Sequence, residues 1–414
     1  MKLQPVDTVI FLTFIGGTLV LTRLFGEASK RLKLSSVFGE ISLGILLGPT
    51  VLGTLLPGIS AHFYPPPTSP ARLAINVMVQ LSVIMLLFVA GLEVRLHTVV
   101  QQGKAALLTS VTSMTIPFVL GFTAMWLLPA FFRIDPLNRL IPSLFFGIAM
   151  AVSALPVIAR ILMDLQLFQT RVGMTIMAAA VFDDLTGWMA FAFVLSMFNG
   201  QKSGVDSLWQ SAVSIGLFAV LTLTIGRRIV HACLPWMEAH FSRPGGVIAF
   251  CFGLGCLGAA FTESIGLHAL LGAFLVGIAI GDSSHLRDEV RVIFREFVMS
   301  IFAPLFFVSV GLGVNFVTDF DPALFAVVLF LAMFCKISGG FLGARLGGMV
   351  SREALAVGLG LNARGVMEII LGTMARDAGL IDQRMLVALI CMALTTSLLC
   401  APLMRRVLAP VELT

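Results

Sequence analysis

Long apolar runs separated by short polar or charged loops follow one another along almost the whole chain. A helix needs about 20 apolar residues to cross a bilayer, and thirteen runs are candidate spans, of which the ninth is short. They are residues 7–26, 37–56, 73–94, 105–131, 140–163, 172–198, 208–230, 245–262, 267–281, 298–316, 322–344, 354–375 and 385–404. The charged, amphipathic segment SSHLRDEVRVIFREF, at 283–297, is predicted to be an interfacial helix rather than a span. The pattern therefore predicts an all-α polytopic membrane protein with thirteen transmembrane helices.

Composition supports this class and excludes others. Hydrophobic residues make up 58% of the 414-residue chain and charged residues only 12%, against roughly 25% charged in soluble domains. The net charge of +5 does not indicate nucleic-acid binding, because the basic residues lie in short, scattered clusters without a basic face. The six cysteines lie in or beside apolar runs without metal-ligand spacing, so they are interpreted as small buried hydrophobic residues. The start, MKLQPVD, does not indicate a cleavable signal peptide.

The distribution of Lys and Arg predicts the topology. If the N-terminus is outside, 18 of the 27 basic residues fall in cytoplasmic loops and their flanks, seven fall outside, and two fall within spans. This asymmetry agrees with the positive-inside rule. We therefore expect a multi-pass inner-membrane protein with its N-terminus outside and its C-terminus in the cytoplasm. Residues 1–414 are expected to form a single membrane transport domain without a soluble regulatory domain.

Two pairs of similar motifs indicate an internal repeat. FGEISLGILLGPTVLG in the second span is similar to LHALLGAFLVGIAIGDS in the ninth, and LLFVAGLEV in the third is similar to LFFVSVGLGV in the tenth. The partners are seven spans apart, so they cross in opposite directions. The sequence thus predicts two inverted six-helix repeats, about 1–199 and 244–409, joined by a linker helix at about 208–230. Secondary transporters with such repeats bind substrate near the midplane, at discontinuous helices.

The repeat predicts where the discontinuous helices are. The fifth span contains AMAVSALPVIARIL with Pro156, and its partner, the twelfth, contains GLGLNARGVMEII with Asn362, Arg364 and Gly365. Proline removes a backbone donor and glycine loosens a helix. These features at repeat-related positions favour two broken, crossing helices over a simple proline kink. Ser153 could supply a hydroxyl or a freed carbonyl to a cation.

Two adjacent aspartates, Asp183 and Asp184, lie in an apolar run of the sixth span. A charge at the bilayer centre costs at least about 2.5–3.5 kcal/mol, so such residues are functional hypotheses by default. Side chains of neighbouring residues on one helix diverge by about 100°. We therefore predict that Lys336 neutralises Asp183 and that Asp184 is left for a ligand. The alternative is a static buried triad that fixes helix packing.

The remaining ionisable residues within spans are Glu40, Arg364 and Glu368. Arg364 and Glu368 are four residues apart, a spacing that favours a local salt bridge. We expect this pair to stabilise the helix crossing and Glu40 to satisfy helix ends there.

Six motifs carry a family resemblance: GEISLGILLGP, ALPVIARIL, FDDLTGW, GLHALLGAFLVG, LFFVSVGLGV and LNARGVMEIIL. In this order they resemble the second monovalent cation:proton antiporter family, the group of Nap-type sodium/proton and Kef-type potassium/proton antiporters. The resemblance implies an NhaA/NapA-like fold and a homodimer. It also implies that Asp184 matches the ion-binding aspartate, Asp183 its lysine-paired neighbour and Lys336 the lysine.

The chain departs from the family pattern at the fifth span. A Ser-x-Thr-Ala pattern is frequent in the family, whereas this chain has Ala151, Ser153 and Ala154. One hydroxyl is lost, which leaves the ligand set and the selectivity open.

The function that follows is secondary active exchange of a monovalent cation, Na+ and also Li+, for protons by alternating access. An Asp-Asp pair with a membrane lysine implies, by the resemblance, electrogenic transport with Asp184 as a transient Na+ ligand. No cofactor and no enzymatic activity are expected. An intramembrane aspartyl protease is disfavoured because adjacent carboxylates diverge. Electroneutral K+/H+ exchange on the same fold and sodium-coupled organic-anion symport remain the alternatives.

Overall fold

The structure of the chain is a computed structural model. It describes residues 4–31, 36–56, 58, 63–66, 68–94, 103–168, 170–199, 205–240, 245–265 and 267–408. All regular secondary structure in these residues is helical, which confirms the predicted all-α class. Ten helical segments in the described residues are long and apolar enough to cross a membrane. The chain is therefore a multi-pass membrane protein.

The helices follow the order of the apolar runs. In chain order they are α1 (Pro5–Arg31), α2 (Ser36–Leu47), α3 (Leu52–Leu55), α4 (Pro70–Glu93), α5 (Gly103–Leu127), α6 (Leu140–Ala151), α7 (Leu155–Asp164), α8 (Arg171–Asn199), α9 (Val205–Leu221), α10 (Arg227–His240), α11 (Gly245–Ser264), α12 (Ala269–Gly281), α13 (Asp288–Leu312), α14 (Phe316–Asp319), α15 (Pro322–Leu346), α16 (Ser351–Leu361), α17 (Val366–Asp377) and α18 (Gln383–Leu408). A π-helical turn, Thr222–Gly226, joins α9 to α10. The predicted linker helix therefore continues beyond its expected end at residue 230.

The ten membrane-length segments coincide with ten of the thirteen predicted spans. The other three spans differ in kind. The fifth and the twelfth are each divided into two short helices, α6 with α7 and α16 with α17, and the ninth is the 13-residue helix α12. Helices of this length are shorter than the hydrocarbon core of a bilayer. The count of thirteen membrane crossings consequently stays a prediction.

The segment at 283–297 corrects one expectation from the sequence. It does not form a separate interfacial helix, because residues from Asp288 onward belong to the single 25-residue helix α13. Val290, Phe294 and Val298 are buried at four-residue spacing, and this apolar stripe continues to Phe302. Most of the charged side chains lie on the opposite, exposed face. The stripe keeps the helix continuous because it packs as one face.

The helices form two compact units, each made from two separated stretches of chain. The first unit contains residues 1–94 and 216–320, and the second contains residues 95–215 and 321–414. Each unit thus combines part of the first predicted repeat with part of the second. The apolar core of the first unit lies among α1, α2, α4 and α13 and contains Phe14, Leu43, Ile75, Leu305, Val308 and Leu312.

Close approaches between glycines set the helix packing in the first unit. Gly44 of α2 lies against Gly311 of α13, and Gly91 of α4 lies against Gly277 of α12. A Cβ at any of these positions would overlap the backbone of the facing helix, and small residues are what permit such approaches. All four glycines belong to the motifs that the sequence paired. The second-span motif packs on the tenth-span motif, and the third packs on the ninth.

A glycine stripe in the second unit brings α15 close to α5. Gly339, Gly343 and Gly347 face the α5 backbone near Thr112, Thr109 and Ala105. Thr112 Oγ1 also donates a hydrogen bond of 2.7 Å to Gly339 O. This contact places the residues that precede the stripe, including Lys336, beside the middle of α5.

Candidate functional site

The two breaks predicted in the fifth and twelfth spans touch each other in the second unit. α6 ends at Ala151 and α7 begins at Leu155, whereas α16 ends at Leu361 and α17 begins at Val366. The Ala154 N–H donates to Ala363 O at 3.1 Å, so one break hydrogen-bonds to the other. Irregular backbone at membrane depth is tolerated where it is buried in protein or lines a cavity. The two interruptions therefore form one hydrogen-bonded crossing of broken helices rather than two independent kinks.

Pro156 and Gly365 lie at the starts of the resumed helices. Pro156 is the second residue of α7, where a missing N–H costs no intrahelical hydrogen bond; its side chain lies outside the described part of the structure. Gly365 immediately precedes α17, and a Cβ there would lie 2.9 Å from Val157 Cγ2. The sequence signals of the breaks thus mark helix starts, and the glycine allows α7 and the second break to meet closely.

Two cations satisfy the carbonyl end of α6. The Arg364 guanidinium donates to Ala149 O at 2.6 Å and to Met150 O. Lys336 Nζ donates to Ala151 O, the last carbonyl of the helix. The final carbonyls of a helix lack intrahelical donors and carry its negative dipole end. Positive side chains at this end are therefore doubly favourable.

Glu368 serves the start of α17. Its Oε2 accepts a hydrogen bond of 2.8 Å from the Gly365 N–H. Its Oε1 lies 3.8 Å from Arg364 Nη1, a longer separation than the hydrogen bonds Arg364 makes to α6. The predicted Arg364–Glu368 pair is thus present. The shorter hydrogen bonds of Arg364 go to the end of α6, and that of Glu368 goes to the start of α17.

Asp183, on α8, is the centre of a buried polar cluster. Its Oδ2 lies 2.7 Å from Lys336 Nζ, and both side chains are fully buried. Ser110 Oγ donates to its Oδ1 at 2.9 Å, and Ser113 Oγ donates to its Oδ2 at 3.2 Å. Ser153 Oγ lies 3.4 Å from the same oxygen and donates a shorter bond, of 2.9 Å, to Leu361 O. The structure therefore brings Asp183, Lys336 and Ser153 together.

The sequence interpretation missed Ser110 and Ser113. They lie three residues apart on α5, in LLTSVTSM, and so share one helix face. The sequence feature that could have identified them is a pair of hydroxyl side chains on one face of an apolar helix. Which carboxylate they would meet depends on how α5 packs against α8, which periodicity does not provide.

Asp184 and Asn362 are also buried in this unit, at 1% and 2% exposure. Asp184 follows Asp183 on α8, so the two carboxylates point in different directions. Asn362 lies in the second break, and its Oδ1 has no hydrogen-bond partner within the described ranges. An oxygen of this kind is available to a ligand, since buried polar atoms are costly to leave unsatisfied.

Glu40 belongs to the first unit, whereas the crossing residues belong to the second. It belongs to α2 of the first unit, where it is buried, and Arg23 of α1 supplies the nearby positive charge. The predicted role for Glu40 in satisfying helix ends at the crossing has no hydrogen bond to support it within the described residues: Oε2 lacks a partner there.

Acidic groups outnumber basic groups among the most deeply buried side chains that the structure describes in the second unit. Among its described residues, five ionisable side chains are at most 1% exposed: Asp183, Asp184, Lys336, Arg364 and Glu368. Three are acids and two are bases, so full ionisation leaves one negative charge. A carboxylate in a low-dielectric interior is stabilised by a positive partner, by a hydrogen-bond donor or by a proton.

Comparison with known proteins identifies the family. The sodium/hydrogen exchanger transmembrane family matches residues 17–408. The chain is 30% identical over 413 residues to the Na(+)/H(+) antiporter NhaS4 of Synechocystis, covering 97% of this chain and 98% of that protein. It is 31% identical over 399 residues to Cation/H(+) antiporter 17 of Arabidopsis thaliana, covering 95% of this chain but 47% of the relative. The chain therefore spans about half the length of that relative.

Other matches extend the comparison. The K(+)/H(+) antiporter 1 of Saccharomyces cerevisiae is 26% identical, with 89% of this chain and 43% of that protein covered. The structure of the sodium proton antiporter MjNhaP1 from Methanocaldococcus jannaschii superposes with a TM-score of 0.68 at 16% identity, covering 96% of each chain. At this identity the likeness shows the fold. The match over residues 17–408 and the 30% identity to NhaS4 establish that the chain belongs to the sodium/hydrogen exchanger family, a family of cation/proton antiporters and not of enzymes.

Proposed function

We propose that this protein exchanges a monovalent cation, Na+ with Li+ also accepted, for protons across the inner membrane. The family supports cation/proton exchange. The observation that carries the proposal is the buried cluster at the crossing, where Lys336 holds Asp183 at 2.7 Å and the neighbouring Asp184 is also buried. A proton or a monovalent cation at Asp184 would neutralise that second carboxylate.

Asp184 is the proposed site of competition between the two ions. Lys336 already provides the counter-charge of Asp183, at 2.7 Å. A hard cation prefers oxygen ligands, and the Asn362 amide oxygen and the Ser153 hydroxyl are the neutral oxygens that the crossing offers. A proton on Asp184 and a cation at Asp184 then neutralise the same charge and exclude each other.

Tight coupling between cation and proton transport follows from the cost of moving an empty, charged ion site through the low-dielectric interior. A unit loaded with either ion is neutral at the site, whereas an empty site carries its charge into the low-dielectric interior, at a cost of at least about 2.5–3.5 kcal/mol. Alternating access therefore proceeds with a bound proton or a bound cation, and return of the empty site is suppressed. The second unit, which contains the crossing, carries the ion. No cofactor takes part, and a homodimer with an outer N-terminus and a cytoplasmic C-terminus is the expected form.

We propose electrogenic exchange, because Lys336 and Asp183 form a second titratable pair beside the ion site. A second candidate is electroneutral K+/H+ exchange, which the similarity to the yeast K(+)/H(+) antiporter favours. Proteoliposomes with a pH dye, challenged with Na+, Li+ and K+ under a clamped potential, distinguish the two. Asp183→Asn and Lys336→Ala should each weaken the response to potential. An unchanged response in both variants would contradict electrogenic exchange.

Asp184→Asn tests the site itself. The amide accepts no proton and carries no charge, so we expect cation-driven proton flux to vanish in proteoliposomes. Asp319→Asn, at the exposed end of α14, is the matched control and should retain full flux. Size-exclusion profiles and thermal unfolding show whether both variants fold. Robust exchange by a folded Asp184→Asn protein would overturn the proposal.

A further inference from the structure

A cavity of about 300 Å³ lies in the first unit. Its walls come from α4, α11 and α12, and it is lined by Gln80, Leu81, Ile84, Cys256, Ala259, Ala260, Glu263 and Ala269. Most of this lining is apolar. The concavity follows from the three alanines, since larger side chains there would occupy the space. Because α4 and α11 are long and apolar enough to cross a membrane, the occupant comes from an apolar environment.

One end of the cavity is charged. Glu263 lies in the last turn of α11, and its Oε2 accepts a hydrogen bond of 2.8 Å from the Ala269 N–H at the start of α12. This bond holds the carboxylate in place, while its other oxygen has no hydrogen-bond partner among the described residues. The half-buried His268 also lies close enough to interact electrostatically with Glu263. The negative charge at this end attracts a cation and repels an anion.

A second polar group lines the same cavity. Gln80 lies ten residues into α4, about 15 Å from the start of that helix. Its side chain hydrogen-bonds to no residue that the structure describes, although it lies within a membrane-length apolar helix. An amide in such surroundings is costly unless a partner satisfies it. The cavity therefore presents a carboxylate, an unsatisfied amide and an apolar wall.

We infer that this cavity binds a phospholipid with a primary-ammonium headgroup, of the phosphatidylethanolamine class. Its ammonium pairs with Glu263, an ester or phosphate oxygen accepts from the Gln80 amide, and one acyl chain lies along Leu81, Ile84 and the alanines. A phosphatidylglycerol headgroup offers no cation and is repelled by the carboxylate. A choline headgroup offers a cation but no N–H donor, so it binds more weakly.

Native mass spectrometry of the purified full chain tests this inference. Protein in nanodiscs that contain equal parts of phosphatidylethanolamine, phosphatidylcholine and phosphatidylglycerol is released into the gas phase, and the retained lipid is counted. We expect one phosphatidylethanolamine to be retained at least tenfold more often than either competitor. Equal retention of the three lipids would overturn the inference.

Two variants locate the lipid. Glu263→Gln removes the charge but keeps an oxygen that accepts from Ala269, so α12 stays capped while the preference for phosphatidylethanolamine is lost. Ala260→Phe fills the cavity from an exposed position and should abolish retention of any lipid. Leu257→Phe, on the same helix and 67% exposed but outside the cavity lining, is the matched control and should behave as wild type. Unchanged retention in both Glu263→Gln and Ala260→Phe would place the lipid elsewhere.

Discussion

The two interrupted helices of the second unit end in different ways. At the end of α6 the chain becomes extended at Val152 (φ −68°, ψ 149°), and its N–H returns only to Ile148 O. The three carbonyls that follow, those of residues 149–151, are left without backbone donors. Arg364 and Lys336 supply those donors from two other elements.

At the end of α16 the backbone supplies most of its own donors. Asn362 keeps a helical conformation (φ −78°, ψ −3°), so its N–H reaches Leu359 O and the next N–H reaches Gly360 O. Ser153 Oγ satisfies Leu361 O, and Cys400 Sγ adds a 3.2 Å contact to Leu359 O. Neutral groups are sufficient there.

The difference shows that the backbone conformation of the residue after a buried helix decides whether charged side chains are needed to cap that helix. An extended exit from a buried helix leaves carbonyls that cations satisfy well, whereas a helical exit closes its own turns. The cations at the first break also face Asp183 and Glu368. The end of α6 is therefore tied to the charge state of the ion site, while the end of α16 is held by neutral groups.

Removing Lys336 should have the largest effect on stability. Lys336→Met leaves a buried carboxylate unpaired and one carbonyl without a donor, at a cost of about 3–5 kcal/mol. Thermal unfolding in detergent measures it. The double variant Lys336→Met with Asp183→Leu removes both charges and should recover much of the loss. A double variant as unstable as the single one would contradict the ion-pair account.

Arg364→Met should rank second. Two neutral carbonyls of α6 lose their donors, at roughly 1 kcal/mol or somewhat more each, so we expect a loss of about 2–3 kcal/mol. Arg364→Lys keeps the charge but not the two-pronged donor, and should recover only part of the loss. If Arg364→Lys matched wild type in thermal unfolding, charge alone rather than the paired hydrogen bonds would explain the cap.

Removing a neutral cap from the second break should matter less. Cys400→Val keeps the side-chain volume and removes the weak donor, while the backbone N–H groups still satisfy α16. We expect a loss below about 1 kcal/mol. Cys391→Val on the same helix is the control, and both variants are compared by thermal unfolding. A loss as large as that of Arg364→Met would remove the distinction between the two breaks.

The smallest effect is expected at an exposed helix end. Asp321 caps α15, and hydrogen bonds from the Leu324 and Ala323 N–H groups, together with the nearby Arg384 guanidinium, hold its pKa below the usual value. Because the folded state favours the ionised form, this stabilisation is complete above about pH 4 and is lost as the pH falls through the lowered pKa.

Asp321→Asn keeps a good capping residue and removes the charge, so it should cost about 0.5 kcal/mol or less at pH 7. The difference from wild type should shrink progressively in acid, as followed by thermal unfolding from pH 7 to about pH 2. A difference that stays constant over this range would show that the charge of Asp321 contributes nothing.

The pattern of apolar runs was sufficient to place most of the helices, and Pro156 and Gly365 were sufficient to locate the breaks. The spacing argument for Arg364 and Glu368 was less complete, for a specific reason. Four-residue spacing brings side chains together on a continuous helix, but Arg364 precedes α17 and is not on it. Its guanidinium is therefore free to reach α6. The segment at 283–297 failed similarly, because its charges concealed an apolar stripe that continues into α13.

What the sequence by itself determined is the class of protein, the positions of the helices and breaks, and the scarcity of buried charge. These follow from local hydropathy and from the high cost of a charge in a membrane, which makes each one conspicuous. Only the tertiary structure decided that Ser110 and Ser113 solvate Asp183 and that Lys336 and Arg364 cap α6. Those contacts join residues far apart in the chain, and they depend on how closely glycine stripes let the helices approach.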